Sequence, residues 1–117
     1  MEWIVIAGVV GFIAWRMMRA KGTASINTTD LKAVLNDNSK QFIDVRTPAE
    51  YKGRHIPQFK NMPLNTLLNQ LTKLDKEKET VVICQSGIRS SRACQVLKQA
   101  GFTNVTNVRG GMSQWNG

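Results

Sequence analysis

From residue 24 onward, apolar and polar positions follow two alternating rhythms. Short apolar runs bounded by turn residues read as strands, and leucines or valines three and four apart read as helix faces. The first strand falls at 24–26. A helix follows over 29–36, with Thr28 as its N-cap and Leu31, Val34 and Leu35 on one face. A second strand covers 41–45. Thr47-Pro48-Ala49-Glu50 reads as a helix start: Thr as N-cap, Pro at the first helical position and Glu at the third, a capping box. Residues 56–62 read as a loop ending in a short strand. Leu64, Leu67, Leu68, Leu71 and Leu74 recur at helical spacing and are assigned to the buried face of a helix over 64–74. Lys76-Glu77-Lys78-Glu79 is a charged turn and 80–83 a central strand. Residues 88–100 form a helix closed by Gly101. The last strand spans 105–108, with a short helix after Gly111. This alternation predicts an α/β domain, a central mostly parallel sheet with helices on both faces. The ligand site of such a sheet lies at the carboxyl ends of its strands.

The first 23 residues follow neither rhythm. Trp3 to Trp15 is an unbroken apolar run, shorter than the ~20 residues of a usual spanning helix. Met1, Met17 and Met18 lengthen it, and Arg16 can snorkel. The flanking tryptophans suit a membrane interface. Glu2 precedes the run, whereas Arg16, Arg19 and Lys21 follow it, the reverse of a cleaved signal peptide. The positive-inside rule then puts the downstream chain in the cytoplasm. Residues 1–23 are therefore expected to be one hydrophobic helix with a basic flank. It would anchor the protein in the cell membrane as a single pass, with a domain of residues 24–117 facing the cytoplasm. A short segment lying at the membrane surface is the competing reading.

Composition narrows the partners. A chain of 117 residues allows one domain, and 42% hydrophobic residues argue against disorder. The net charge of +8 comes from scattered Lys and Arg. No stripe of basic and aromatic residues marks a nucleic-acid reader, so no nucleic-acid partner is expected. A basic surface suits small anionic substrates or anionic lipid. The two cysteines, Cys84 and Cys94, lack the CxxC spacing and have no Cys/His company for zinc, so neither metal nor cofactor is expected.

The candidate chemistry centres on Cys84. Val81-Val82-Ile83 reads as a buried strand that delivers a thiol to its carboxyl end, and a loop and a helix follow. Backbone N–H groups of such a loop can turn toward the sulfur, and the helix N-terminus favours the ionised form. An inert, packed cysteine is the competing reading, and Gly87 and Arg89 downstream tell against it. Cys94 lies among Ala93, Val96 and Leu97 and reads as a buried small apolar residue. His55, the single histidine, reads as a structural hydrogen-bonder in a loop.

Three motifs in order resemble one family. Cys84-Gln85-Ser86-Gly87-Ile88-Arg89-Ser90 resembles the active-site loop of the rhodanese (thiosulfate sulfurtransferase) family. The segment Asp44-Val45-Arg46, continuing to His55-Ile56-Pro57 and Pro63-Leu64, is similar to the family's Asp-Val-Arg region. Gly110-Gly111-Met112-Ser113-Gln114-Trp115 is similar to its closing Gly-Gly-x-x-x-Trp. The resemblance covers residues 24–117 and implies the rhodanese-like fold. It further implies a sulfurtransferase that moves a sulfane sulfur from a small anionic, thiosulfate-like donor to a thiol or protein acceptor, through a persulfide on Cys84.

In that reading Gln85, Ser86, Gly87, Ile88 and Arg89 form the persulfide loop, and Arg89 orients the donor or the loop. Asp44 and Arg46 brace the loop from the neighbouring strand. The spacing is C-x4-R, one residue shorter than the C-x5-R loop of cysteine phosphatases, which leaves less room for a phosphate. The alternatives are a sulfur-carrier or regulatory binding module on the same fold, and a cysteine phosphatase or arsenate reductase, which the loop length opposes.

Overall fold

The computed structural model describes residues 24–117, together with Gly8. The expected membrane helix and its basic flank lie outside the described residues, and among the described residues no helix is long and apolar enough to cross a membrane. Five strands run in chain order: β1 (Ala24–Ile26), β2 (Lys40–Asp44), β3 (Lys60–Asn61), β4 (Glu79–Ile83) and β5 (Val105–Val108). Over residues 24–117 three α-helices accompany them: α1 (Thr28–Val34), α2 (Pro48–Gly53) and α3 (Ile88–Gln99). Two 3₁₀ helices cover Leu64–Lys73 and Gly111–Gln114.

The sheet has the order β1-β5-β4-β2-β3, and every pairing is parallel. β2 hands on to β3 at one side of the sheet, whereas β4 hands on to β5 at the other. The strand order therefore reverses between β2 and β4, and a crevice opens at their carboxyl ends. Asp44 pairs with Ile83 across that boundary, so Asp44 and Cys84 reach the crevice together.

Side chains along β4 alternate between two cores. Val82 and Cys84 pack with Leu67, Ala93, Cys94 and Leu97 beneath α3 and the first 3₁₀ helix. Val81 and Ile83 pack on the opposite face with Leu31, Phe59, Met112 and Trp115. Burial on both faces is why the strand reads as a continuous apolar run rather than an alternating one.

Two local expectations change. The N-cap of α1 is Asn27, whose side chain accepts a hydrogen bond from the Asp30 N–H at 2.7 Å. Thr28 is the first helical residue, and its hydroxyl donates to the Gln114 carbonyl. The leucine stripe lies on a 3₁₀ helix instead of an α-helix. Leu67 is fully buried and Leu64, Leu71 and Leu74 pack against the core, whereas Leu68 is 68% exposed. The capping box at Thr47 and Glu50 forms as read, with Pro48 opening α2.

Candidate active site

The chain leaves β4 at Cys84 and turns through Gln85 and Ser86 to Gly87, the N-cap of α3, at φ +101°. Only glycine adopts that conformation at little cost, and it turns the Gly87 N–H onto the Cys84 sulfur at 3.0 Å. The sulfur lies 3.2 Å from the Ser90 hydroxyl. Burial pushes the thiol up. The Ser90 side chain and the backbone N–H groups of Ser90, Gly87 and Ser86 act against it and outweigh it, so the thiol ends below its ordinary value. Cys94, on α3 in the same core, is pushed up by burial to about 12 and stays protonated. The two cysteines are both free and buried, but only Cys84 has a surrounding that favours a thiolate.

The loop is held from outside by the closing glycines. The Met112 N–H donates to the Cys84 carbonyl at 2.8 Å and the Ser113 N–H to the Gln85 carbonyl at 3.0 Å. For these bonds to form, the backbone at Gly111 approaches so closely that a Cβ there would stand 2.2 Å from the Cys84 oxygen. The Gly-Gly motif is thus the rear wall of the cysteine loop.

Arg46 and Asp44 form a buried pair, 3% and 0% exposed, joined at 2.8 Å. The Arg46 Nε also donates to both carboxylate oxygens, and the Arg46 backbone N–H donates to one of them. The Asp44 carboxylate is thus engaged by Arg46 through both its oxygens. Contact with the loop runs through Arg46, whose Nη1 donates to the Gln85 side chain at 3.4 Å. Its Nη2 donates to the Arg54 carbonyl at 2.6 Å.

Arg89 lies in the first turn of α3, where a cation is disfavoured by the helix dipole. Glu50 compensates it through two hydrogen bonds, of 2.7 and 2.9 Å. Hydrogen bonding to Arg89 holds the Glu50 carboxyl at about 2. Beside this pair is an open groove of about 500 Å³, lined by Arg89 and Arg92 and floored by Val45, Pro63, Leu64 and Val96. Ile88, the first residue of α3, is 77% exposed. His55 stands apart from the loop, its ring stacked on Tyr51 and its Nδ1 2.8 Å from the Tyr51 carbonyl oxygen.

Sequence reading placed Cys84, the loop 85–89, Asp44 and Arg46 in one region, and the fold brings them together there. It missed Glu50 as the partner of Arg89, because the capping box already accounted for that residue. It also missed Asn107, which the register of β5 carries to Ser90: the Ser90 hydroxyl donates to the Asn107 side-chain oxygen at 2.5 Å.

The rhodanese-like domain family matches residues 27–117. The chain is 39% identical over 77 residues to the Bacillus subtilis protein YqhL, an alignment that takes in 66% of this chain and 61% of YqhL. It is 37% identical over 73 residues to a sulfurtransferase of Allochromatium vinosum, covering 62% of this chain and 68% of that one. The crystal structure of a rhodanese-like domain protein from Staphylococcus aureus superposes with a TM-score of 0.74 at 33% identity, over 80% of this chain and 92% of that one.

Proposed function

The chain belongs to the rhodanese-like domain family, and we propose that it transfers sulfane sulfur through Cys84. The Cys84 thiolate attacks the outer sulfur of an anionic, thiosulfate-like donor. A new S–S bond forms at Cys84, the donor's own S–S bond breaks, and its electron pair departs with sulfite. A thiol or other thiophilic acceptor then attacks the terminal sulfur, and Cys84 leaves as thiolate. Charge on the sulfur is held by N–H groups that are already in place, so little rearrangement is needed during transfer.

The observation that carries this reading is the sulfur's position inside the loop, with the Gly87 N–H at 3.0 Å and a thiol held below its ordinary value. Intact-mass measurement after thiosulfate treatment tests it. The expected result is a gain of one sulfur mass on Cys84, removed by cyanide or a small thiol. An unchanged mass with thiosulfate and with other sulfane donors would overturn it. The apolar run before the domain, with basic residues after it, supports a membrane-tethered placement with the domain in the cytoplasm.

A further inference from the structure

Four hydrogen bonds close a ring around the cysteine. The Cys84 thiol donates to the Ser90 oxygen at 3.2 Å, and the Ser90 hydroxyl donates to Asn107 Oδ1 at 2.5 Å. Asn107 Nδ2 donates to the Gly87 carbonyl at 3.4 Å, and the Gly87 N–H returns to the sulfur at 3.0 Å. When the sulfur carries its proton, all four bonds can run in one sense. β5 supplies Asn107 in register with Val82, two residues before the cysteine on the neighbouring strand and on the same sheet face. Ser90 is fully buried, and no water is needed to complete its bonding.

Ionisation breaks that sense. A thiolate has no hydrogen to give, so Ser90 serves it only by turning its hydroxyl hydrogen toward sulfur. The Ser90 oxygen then offers a lone pair to Asn107, and a carbonyl oxygen at 2.5 Å would repel it. A carboxamide resolves this by rotating half a turn, so that Nδ2 donates to Ser90 and Oδ1 faces the more distant Gly87 carbonyl. Asparagine carries both a donor and an acceptor and serves Ser90 in either state of the sulfur, giving up its 3.4 Å bond to Gly87 in the second; aspartate only accepts, and leucine of similar shape does neither.

We infer that Asn107 is a positioning residue for sulfur transfer, its amide orientation setting whether the Ser90 hydroxyl accepts from a Cys84 thiol or donates to a Cys84 thiolate. This deepens the reading of Cys84 as the sulfur-carrying nucleophile and rests on it. The charged and titratable groups near the sulfur are Arg89 and Cys94 on α3 and Asp44 with its partner Arg46 at the end of β2. Glu50 on α2 faces Arg89. None is a member of the ring, and all stay in place when Asn107 is changed.

The test is the pH dependence of Cys84 alkylation by iodoacetamide in the full-length protein, with the labelled peptide resolved by mass so that Cys94 does not contribute. No sulfur donor is present, so the titration reads the ring whether or not thiosulfate is turned over. Asn107→Asp holds the Ser90 hydrogen away from sulfur and should raise the midpoint by about one pH unit or more. In a Ser90→Ala background the same change should shift it far less, because the path through the hydroxyl is gone. Asn107→Leu leaves sulfur as the only partner for the hydroxyl and should not raise the midpoint. An Asn107→Asp midpoint at the wild-type value, or a rise of equal size with and without Ser90, would overturn the inference. Should Asn107→Asp not fold, Ser90→Ala and Asn107→Leu carry the test: the first raises the midpoint and the second does not, and a rise in both overturns it.

Discussion

Glu50 holds Arg89 with both carboxylate oxygens, across 39 positions of sequence. The same Glu50 side chain closes the capping box of α2 by accepting from the Thr47 N–H at 3.1 Å. One carboxylate therefore joins the start of α2 to the start of α3, the helix into which the cysteine loop leads.

This pair has a defined pH window. Glu50 is held at about 2 against an ordinary 4.5. Its folded value is depressed, so the stability it contributes is present above the ordinary value and is lost as pH falls toward 2. Both side chains are about one-third exposed, at 33% and 37%, and solvent screening limits the pair to about 1 kcal/mol or less. Glu50→Gln keeps a capping residue at its position and should lower the melting temperature slightly at neutral pH. The difference from wild type should vanish near pH 2. A gap that persists at low pH would assign the effect to packing.

Arg89 itself is proposed to face the donor. Arg89→Ala should lower kcat/KM for thiosulfate by about ten- to a hundredfold, the range of a charge-assisted hydrogen bond. Its effect on thermal stability should be small. An unchanged kcat/KM would remove Arg89 from the donor site and leave it as the partner of Glu50.

Arg46→Ala should be far more damaging to the fold. It strands the Asp44 carboxylate at a position with no exposure. Breaking a buried pair from one side costs about 3–5 kcal/mol. Denaturant unfolding reads this directly. A loss below about 1 kcal/mol would mean that water reaches Asp44 in the variant.

The two cysteines should separate cleanly. Cys84→Ala abolishes thiosulfate:cyanide sulfur transfer while leaving the fold near wild type. Cys94→Ala keeps most of the activity, because burial pushes that thiol to about 12 and leaves almost none of it ionised at neutral pH. Equal loss of activity in both variants would require a relay between two thiols.

A chain starting at Thr23 should be soluble and retain sulfur transfer, since every residue assigned to the site follows it. The full-length protein should fractionate with membranes, with residues 24–117 protected from protease added outside intact cells. Recovery of the full chain in the soluble fraction, or cleavage of the domain from outside, would remove the anchor or reverse its orientation.

The central strands β2, β4 and β5 were legible because their burial leaves a strong local signature. The ends of β1 and β5 match to the residue, whereas β3, Lys60-Asn61, carries no apolar run and was read only as a short strand closing a loop. The cap of α1 slipped by one position because Asn27 and Thr28 are adjacent and both residue types cap helices. Leu68 was misassigned because an apolar residue within a helical repeat gives no local sign that it faces outward. The second role of Glu50, the place of Asn107 and the close approach of Gly111 to Cys84 were hidden for another reason. Each depends on the register between distant segments, and no local pattern records that.

The direction of the strands has one more consequence. Ala24 lies level with Thr106, which lies level with Val81, so β1 begins about 10 Å short of Cys84 along the strand axis. The chain runs through β1 toward the crevice, so Ala24 marks the end of that strand farther from Cys84. A surface bound at Ala24 itself would lie at that end of the strand, and the cysteine mouth would stay open to partners that never touch the surface.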